Sequence, residues 1–198
     1  SYSFKFGQML IPNTALHFFV IVSFRLIILI VQIVSVALLT LTIWAGFAGN
    51  QSPIHNFSPT FVWVIFWVAI PIACALVGNI WRTLNQWEAV FKVIEAPLGR
   101  IRTLLPYSLR AQYQPQWGVW PAIILFLIFA WIENIYPDSI VPSNLATAVV
   151  AYSIITWTGM FIFGRESWLL YGDPFSVLFR LLSRCSIVEP SVASSTHC

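Results

Sequence analysis

Long uninterrupted apolar runs, rather than alternating patterns, dominate this chain. Four of them are long enough to cross a bilayer, which takes about 20 apolar residues in a helix. They cover approximately residues 24–47, 59–81, 117–137 and 144–164. The predicted fold class is an all-α membrane protein with four transmembrane helices, which together form a single membrane domain over residues 1–184.

Local signals refine the first two runs. Residues 10–23 either extend the first helix or lie in the interface, and Arg25 is expected to reach the headgroups from the end of that helix. Ser58 is expected to cap the second helix, with Pro59 at its first position. Pro71 removes one backbone hydrogen bond inside the same helix and should kink it.

Two shorter segments have amphipathic patterns. The first covers residues 84–95, carries apolar side chains at helical spacing on one side, and is expected to end near Pro97. The second covers residues 174–184 and begins with Asp173 as the cap and Pro174 at the first helical position. Helices of this kind lie in the headgroup layer or dock onto other helices. We expect both to lie at the cytoplasmic membrane surface.

The basic residues set the predicted orientation. All ten lie in the N-terminal segment, the long central connection and the segment after the fourth run. Because cytoplasmic loops are enriched in Lys and Arg, both termini are predicted to lie in the cytoplasm. Residues 185–198 are predicted to be a flexible tail or a linker. The basic residues expected to contact lipid headgroups are Arg82, Lys92, Arg100, Arg102, Arg110, Arg180 and Arg184.

Composition supports the membrane assignment. Hydrophobic residues make up 59% of the chain and charged residues 9%, whereas a soluble domain has about a quarter charged residues. The expected partners are the lipid bilayer and other membrane subunits, and no nucleic acid. Cys74, Cys185 and Cys198 lack the spacing of a disulfide framework or a thiolate metal site.

Candidates for chemistry are few. Glu166 and Asp173 are weak candidates for a catalytic carboxylate pair, and together with Arg165 they alternatively form an ion-pair knot that fixes the bend after the fourth helix. His17 is a weak candidate for a cofactor ligand because it lies near a span. The three histidines lie far apart and show no metal-ligand spacing, so neither a metal site nor a cofactor is predicted.

Several functions remain open. We favour an accessory or structural subunit of a larger membrane assembly, because no catalytic constellation is present. One alternative is that the chain is part of a small-molecule transporter. That function would depend on Pro71, Glu133 and Arg25. Glu133 lies near the end of the third helix, where it faces water, pairs within the bundle or is protonated. A membrane-bound hydrolase or hydrolase subunit is the other alternative.

Four segments carry a resemblance to a known family: NFSPTFVWVIFWV, GNIWRTLNQWEAV, FAWIENIYPD and GMFIFGRESWLLYGDPFSVLFRLLSR. They resemble bacterial multi-pass membrane proteins commonly labelled fenitrothion hydrolase or hypothetical membrane protein. The resemblance covers residues 56–184 and implies cleavage of organophosphate esters, without a catalytic set to carry over. Asn79 stands where that family usually has Asp, Gln86 where it has Pro, and Leu170 and Tyr171 where it has a basic pair. The resemblance also implies a location in a bacterial inner membrane. It further implies that this chain is an N-terminal part of a longer protein, or a shortened or partly interpreted member of the family.

Overall fold

The computed structural model describes residues 13–104 and 113–186, and all regular secondary structure within these ranges is helical. Two π-helical segments, Thr60–Ala69 and Trp168–Gly172, and two short 3-10 turns, Pro53–His55 and Pro115–Trp117, lie between the α-helices. In chain order, the α-helices are α1 Asn13–Ala48, α2 Phe57–Pro59, α3 Ile70–Val77, α4 Trp81–Leu84, α5 Gln86–Leu104, α6 Trp120–Asn134, α7 Pro142–Phe163, α8 Arg165–Ser167 and α9 Pro174–Ser183.

Three apolar helices in the described part of the chain have the length and composition to cross a membrane. They are Phe19–Ala48, Phe57–Val77 and Pro142–Phe163. The third predicted span corresponds to α6, which is 15 residues long and extends about 22 Å at 1.5 Å per residue. That is less than the hydrocarbon core of about 30 Å. The chain is therefore an all-helical protein whose apolar helices are compatible with a membrane location.

Helix α1 is longer than the predicted first span. It begins at Asn13, so residues 13–23 extend the helix, and the interfacial alternative for this stretch is wrong. Among residues 19–48, buried side chains occur only in the second half of the helix, where they recur on one face and include Ser35, Leu39 and Thr42. This face packs against α5 and α7.

The second apolar helix differs from expectation at both ends. Asn56, and not Ser58, is the cap, since its side chain accepts a hydrogen bond from the Ser58 backbone N–H at 2.8 Å. The Ser58 hydroxyl instead donates to the carbonyl of Thr42 at 2.7 Å. The helix ends at Val77 because Gly78 adopts φ 112°, a backbone conformation that favours glycine.

Pro71 coincides with a change of helix type. The preceding Thr60–Ala69 segment is π-helical, and the backbone N–H of Ile70 bonds to the carbonyl of Ile65. Proline inside a helix removes one hydrogen bond and its ring clashes with the carbonyl four residues earlier. The π-helical turns before Pro71 widen the backbone where an α-helix would meet this clash.

Both helices predicted to lie at the membrane surface dock onto other helices, and their position relative to a membrane stays a prediction. Helix α5 contacts α1 and α7, and α9 contacts α3 and α6. The predicted end of α5 near Pro97 is wrong, because the helix continues to Leu104. Val93 and Pro97 are both exposed, so the carbonyl that loses its partner lies on the outer side of the helix.

An aromatic cluster joins these helices to the apolar spans. The Phe66 ring lies 4.7 Å from Phe175, 5.6 Å from Trp81 and 6.0 Å from Trp87, in edge-to-face geometry. Phe66 also contacts Phe179, which is fully buried. Edge-to-face pairs add about 0.5–1.5 kcal/mol each beyond area burial. The cluster therefore fixes α4, α5 and α9 against the second apolar helix.

Candidate functional site

Asp173 lies at the centre of a buried polar group at the start of α9. As predicted, its side chain caps this helix, because it accepts a hydrogen bond from the Ser176 backbone N–H at 2.8 Å. Its other carboxylate oxygen accepts a hydrogen bond from the Tyr152 hydroxyl on α7. Only 1% of Asp173 is exposed. The carboxylate thus joins α7 to α9.

Burial also changes the acidity of this group. Desolvation raises the pKa of Asp173 above its ordinary value of 3.8, and the hydrogen bonds from Ser176 and Tyr152 partly oppose that rise. A carboxyl group in such a position is held by internal donors rather than by water. It can fix two helices, and in its protonated form it can donate a hydrogen bond of its own.

The predicted ion-pair knot does not form. Arg165 pairs with Glu95 on α5 at 3.2 Å, whereas Asp173 bonds to Tyr152 and Ser176. Glu166 is exposed and has no ion pair within the described ranges. Because one acid is buried and the other faces outward, Glu166 and Asp173 do not share a site as a carboxylate pair would.

An apolar cavity lies beside this polar group. It encloses about 160 Å³ between α1, the π-helical segment Thr60–Ala69, α5, α6, α7 and the start of α9. Tyr152, Phe175 and Trp87 form part of its wall. A second cavity of about 260 Å³ lies further along α6 and α7 and shares the wall residues Leu145 and Ala148 with the first. Together they form a cleft between α6 and α7.

Gln86 is a polar wall residue whose side chain has no hydrogen bond to the residues that the structure describes. It is 4% exposed and lines the cavity. The Trp63 indole N–H at the wall is also unpaired but is enclosed by protein atoms, whereas two other polar groups there are occupied. The Trp87 indole N–H donates to Ser153 at 2.7 Å, and the Thr42 hydroxyl donates to the Leu38 carbonyl at 2.7 Å. The Gln86 amide can therefore bind a polar group that enters the cavity.

Histidine and carboxylate candidates do not converge on the cavity. Within residues 13–104 and 113–186, no three His, Cys, Asp or Glu side chains are grouped as metal ligands are. His17 lies near the start of α1, and its side chain is outside the described part, so its role as a cofactor ligand stays a prediction. His55 is exposed in the turn Pro53–His55.

Three of the predicted headgroup contacts involve exposed basic side chains. Arg82 and Arg184 are exposed. Lys92 is exposed as well and pairs with Glu88 one helical turn earlier, at 2.9 Å. These positions leave the cationic groups accessible, and their contact with lipid stays a prediction.

The other predicted headgroup contacts differ in placement. A guanidinium N–H of Arg180 donates to the carbonyl of Leu170 at 2.6 Å, which holds this side chain against the preceding turn. Arg100 and Arg102 lie in α5, but their side chains are outside the described part. Arg110 lies outside the described residues altogether. Contact of these four cations with lipid likewise stays a prediction.

The residues on which a transporter would depend lie apart. Pro71 is in α3, Glu133 is half-buried near the end of α6, and Arg25 is exposed in the first half of α1. None of the ion pairs in the described ranges includes Glu133 or Arg25. The structure therefore does not bring these three residues into one pathway.

Comparisons with known protein families, curated proteins and solved structures found no match to this chain. The resemblance to the hydrolase-labelled family therefore stays a prediction, as does organophosphate cleavage.

Proposed function

We propose that this chain is an accessory or structural subunit of a larger membrane assembly. The observation that carries the proposal is the first half of α1, from Phe19 to Val34, in which no residue is buried. Among residues 19–48, buried side chains occur only from Ser35 onward.

The length of α1 strengthens this argument. Its 36 residues extend about 54 Å, well beyond the hydrocarbon core of about 30 Å. The unpacked half is almost entirely apolar, and transmembrane helices associate through close van der Waals packing of such surfaces. A long helix that packs on its own chain over half its length leaves the other half available to a neighbouring subunit.

Arg25 adds a polar reason for a partner. It lies in the unpacked half and is exposed, without an ion pair to any described residue. A charged side chain within an apolar helix reaches for the headgroups or pairs with an acidic group. An acidic residue on a partner helix would satisfy Arg25 and fix the register of the two helices.

A photocrosslinker at Phe24, which is 63% exposed, tests the proposal. p-Benzoylphenylalanine at this position should give one protein adduct of defined mass when membranes from the native host are irradiated. The matched control is the same probe at Ile154, which is exposed on α7 and should give lipid adducts. The same set of adducts from both positions would contradict the proposal.

The proposal includes a topology. Four crossings of a bacterial inner membrane, with α6 as a short third crossing and both termini in the cytoplasm, agree with the distribution of basic residues. The short α6 would be accommodated by thinning of the bilayer around it.

Thiol labelling tests this topology. In a Cys198→Ser background, Cys185 is an exposed reporter while Cys74 is buried. A membrane-impermeant maleimide should label Cys185 only after spheroplasts are permeabilised. It should label an added Asp138→Cys, in the turn between α6 and α7, from outside. Labelling of both sites from the same side would exclude four crossings.

A further inference from the structure

The Gln86 side chain is an unpaired polar group in a mostly apolar cavity. Burying an amide without a hydrogen bond costs about 1–3 kcal/mol in proteins. Gln86 lines the cavity wall, is only 4% exposed, and has no hydrogen bond to a described residue. We propose that the cavity binds a small, neutral, mostly apolar molecule with a carbonyl oxygen, and that the Gln86 amide donates a hydrogen bond to this oxygen.

The size of the cavity sets the size of the ligand. An apolar cavity of about 150 Å³ stays dry and binds benzene, and this one encloses about 160 Å³. It therefore accepts one six-membered ring. The adjoining cavity, which shares Leu145 and Ala148, gives room for substituents on that ring.

The opening of the cavity faces the lipid side of the protein. Ile128 on α6 and Ile155 on α7 both line the cavity and are both exposed on the outer surface. A ligand would thus enter between α6 and α7 from the bilayer. This route selects molecules that dissolve in hydrocarbon and excludes charged ones.

The other polar groups at the cavity wall are already hydrogen-bonded or enclosed by protein, which favours a ligand with a carbonyl group. Tyr152 and Trp87 already donate their hydrogens, to Asp173 and Ser153. The Trp63 indole N–H has no partner among the described residues but is enclosed by protein atoms. One free amide is sufficient for a carbonyl oxygen, which needs a single donor, whereas a carboxylate would bring a charge that no wall residue neutralises.

The test compares two probes of the same shape. Duroquinone and durene are both tetramethylated six-membered rings, and only duroquinone has carbonyl groups. Duroquinone binding is followed by saturable quenching of tryptophan fluorescence in the purified chain, and durene binding by its reversal of that quenching. Wild type should bind duroquinone about tenfold more tightly than durene, as expected for one hydrogen bond.

Three variants assign the binding to this site. Gln86→Leu keeps the volume of the side chain and removes the amide, so it should bind the two probes with equal affinity. Ala148→Phe fills the cleft and should bind neither. Ile154→Phe, on the outer face of the same helix, should behave as wild type and controls for partition into detergent.

Equal affinity of wild type for the two probes, an unchanged preference in Gln86→Leu, or absence of saturable quenching in wild type would each overturn the proposal. Mass spectrometry of molecules that co-purify with wild type and not with Ala148→Phe distinguishes the source of the carbonyl. An ester-linked lipid and a free quinone or ketone both fit, whereas an occupant without a carbonyl would overturn it.

Discussion

The first half of α1 and the aromatic cluster around Phe66 are both rich in large apolar side chains, yet they have opposite surroundings. Phe24 is 63% exposed, whereas Phe66 is 5% exposed and contacts aromatic rings from three other helical segments. An apolar residue in a membrane protein therefore has no fixed role. Its contribution to stability depends on whether protein or lipid surrounds it, since lipid is as apolar as the protein interior.

The largest expected effect comes from the same substitution in the two regions. Phe66→Ala should lower the free energy of unfolding by about 3–5 kcal/mol, because it leaves a cavity in a packed core. Phe24→Ala should change it by less than about 0.5 kcal/mol, because lipid or detergent replaces the lost contacts. Reversible denaturation of the purified chain in mixed micelles measures both. Equal losses would show that the first half of α1 packs against its own chain.

The next effect concerns the buried polar group that joins α7 to α9. Asp173→Ala removes the helix cap and the acceptor of the Tyr152 hydroxyl, and should cost about 2–3 kcal/mol. Asp173→Asn keeps one carbonyl oxygen and should cost less. Glu166→Gln, at the exposed acid nearby, is the control and should be neutral within about 0.5 kcal/mol. A loss from Glu166→Gln as large as that from Asp173→Ala would contradict this assignment.

The same residue gives a pH dependence with a defined sign. Burial raises the pKa of Asp173 above 3.8, so the folded state binds the proton more tightly than the unfolded state. The contribution of this group to stability is therefore complete below pH 3.8 and declines as pH rises through the folded-state pKa. Unfolding free energies of wild type and Asp173→Asn, measured across this range, should differ in slope. A wild-type slope of opposite sign relative to Asp173→Asn would mean that the hydrogen bonds outweigh burial.

Sequence patterns identified the apolar faces better than they identified what covers them. The spacing of Trp87, Val90, Phe91 and Ile94 predicted one apolar side of α5, on which Trp87 and Phe91 are buried and Ile94 is exposed. The same spacing cannot tell a lipid surface from a neighbouring helix, so it did not show that α5 packs against α1 and α7. The Asp173 cap was predictable because its signals, an acid followed by proline, are local.

The sequence predicted much less of the candidate site than of the fold. Gln86 appeared there only as a departure from the family pattern, because nothing local shows that its amide lies in a cavity formed by other helices. Tyr152 is one of several aromatic residues in an apolar run, and its bond to Asp173 arises only when α7 and α9 pack together. Contacts of this kind depend on tertiary packing, which periodicity does not encode.

A smaller effect tests the close packing of α7 against the turn that follows it. Gly159 faces the Trp168 ring, and a Cβ added there would lie 2.3 Å from two ring carbons. Gly159→Ala should therefore lower the free energy of unfolding by about 1–3 kcal/mol, through overpacking. Thr158→Ala, exposed on the same helix, is the control and should stay within about 0.5 kcal/mol. A neutral Gly159→Ala would show that the Trp168 side chain moves aside freely.

The smallest effect separates the observed ion pair from the predicted knot. Arg165 and Glu95 lie 3.2 Å apart, and the Glu95 side chain is 47% exposed, so water screens their attraction. Exposed pairs contribute about 0–1 kcal/mol, and Glu95→Gln should fall in that range and lose its effect in high salt. A double-mutant cycle measures the coupling of Arg165→Gln with Glu95→Gln and, as the matched control, with Glu166→Gln. Coupling to Glu95 alone supports the observed pair, because Glu166 forms no ion pair with Arg165 that its substitution could remove. Stronger coupling to Glu166 would support the predicted ion-pair knot. The bend after α7 would then be fixed by ion pairs between neighbouring residues rather than by packing between helices.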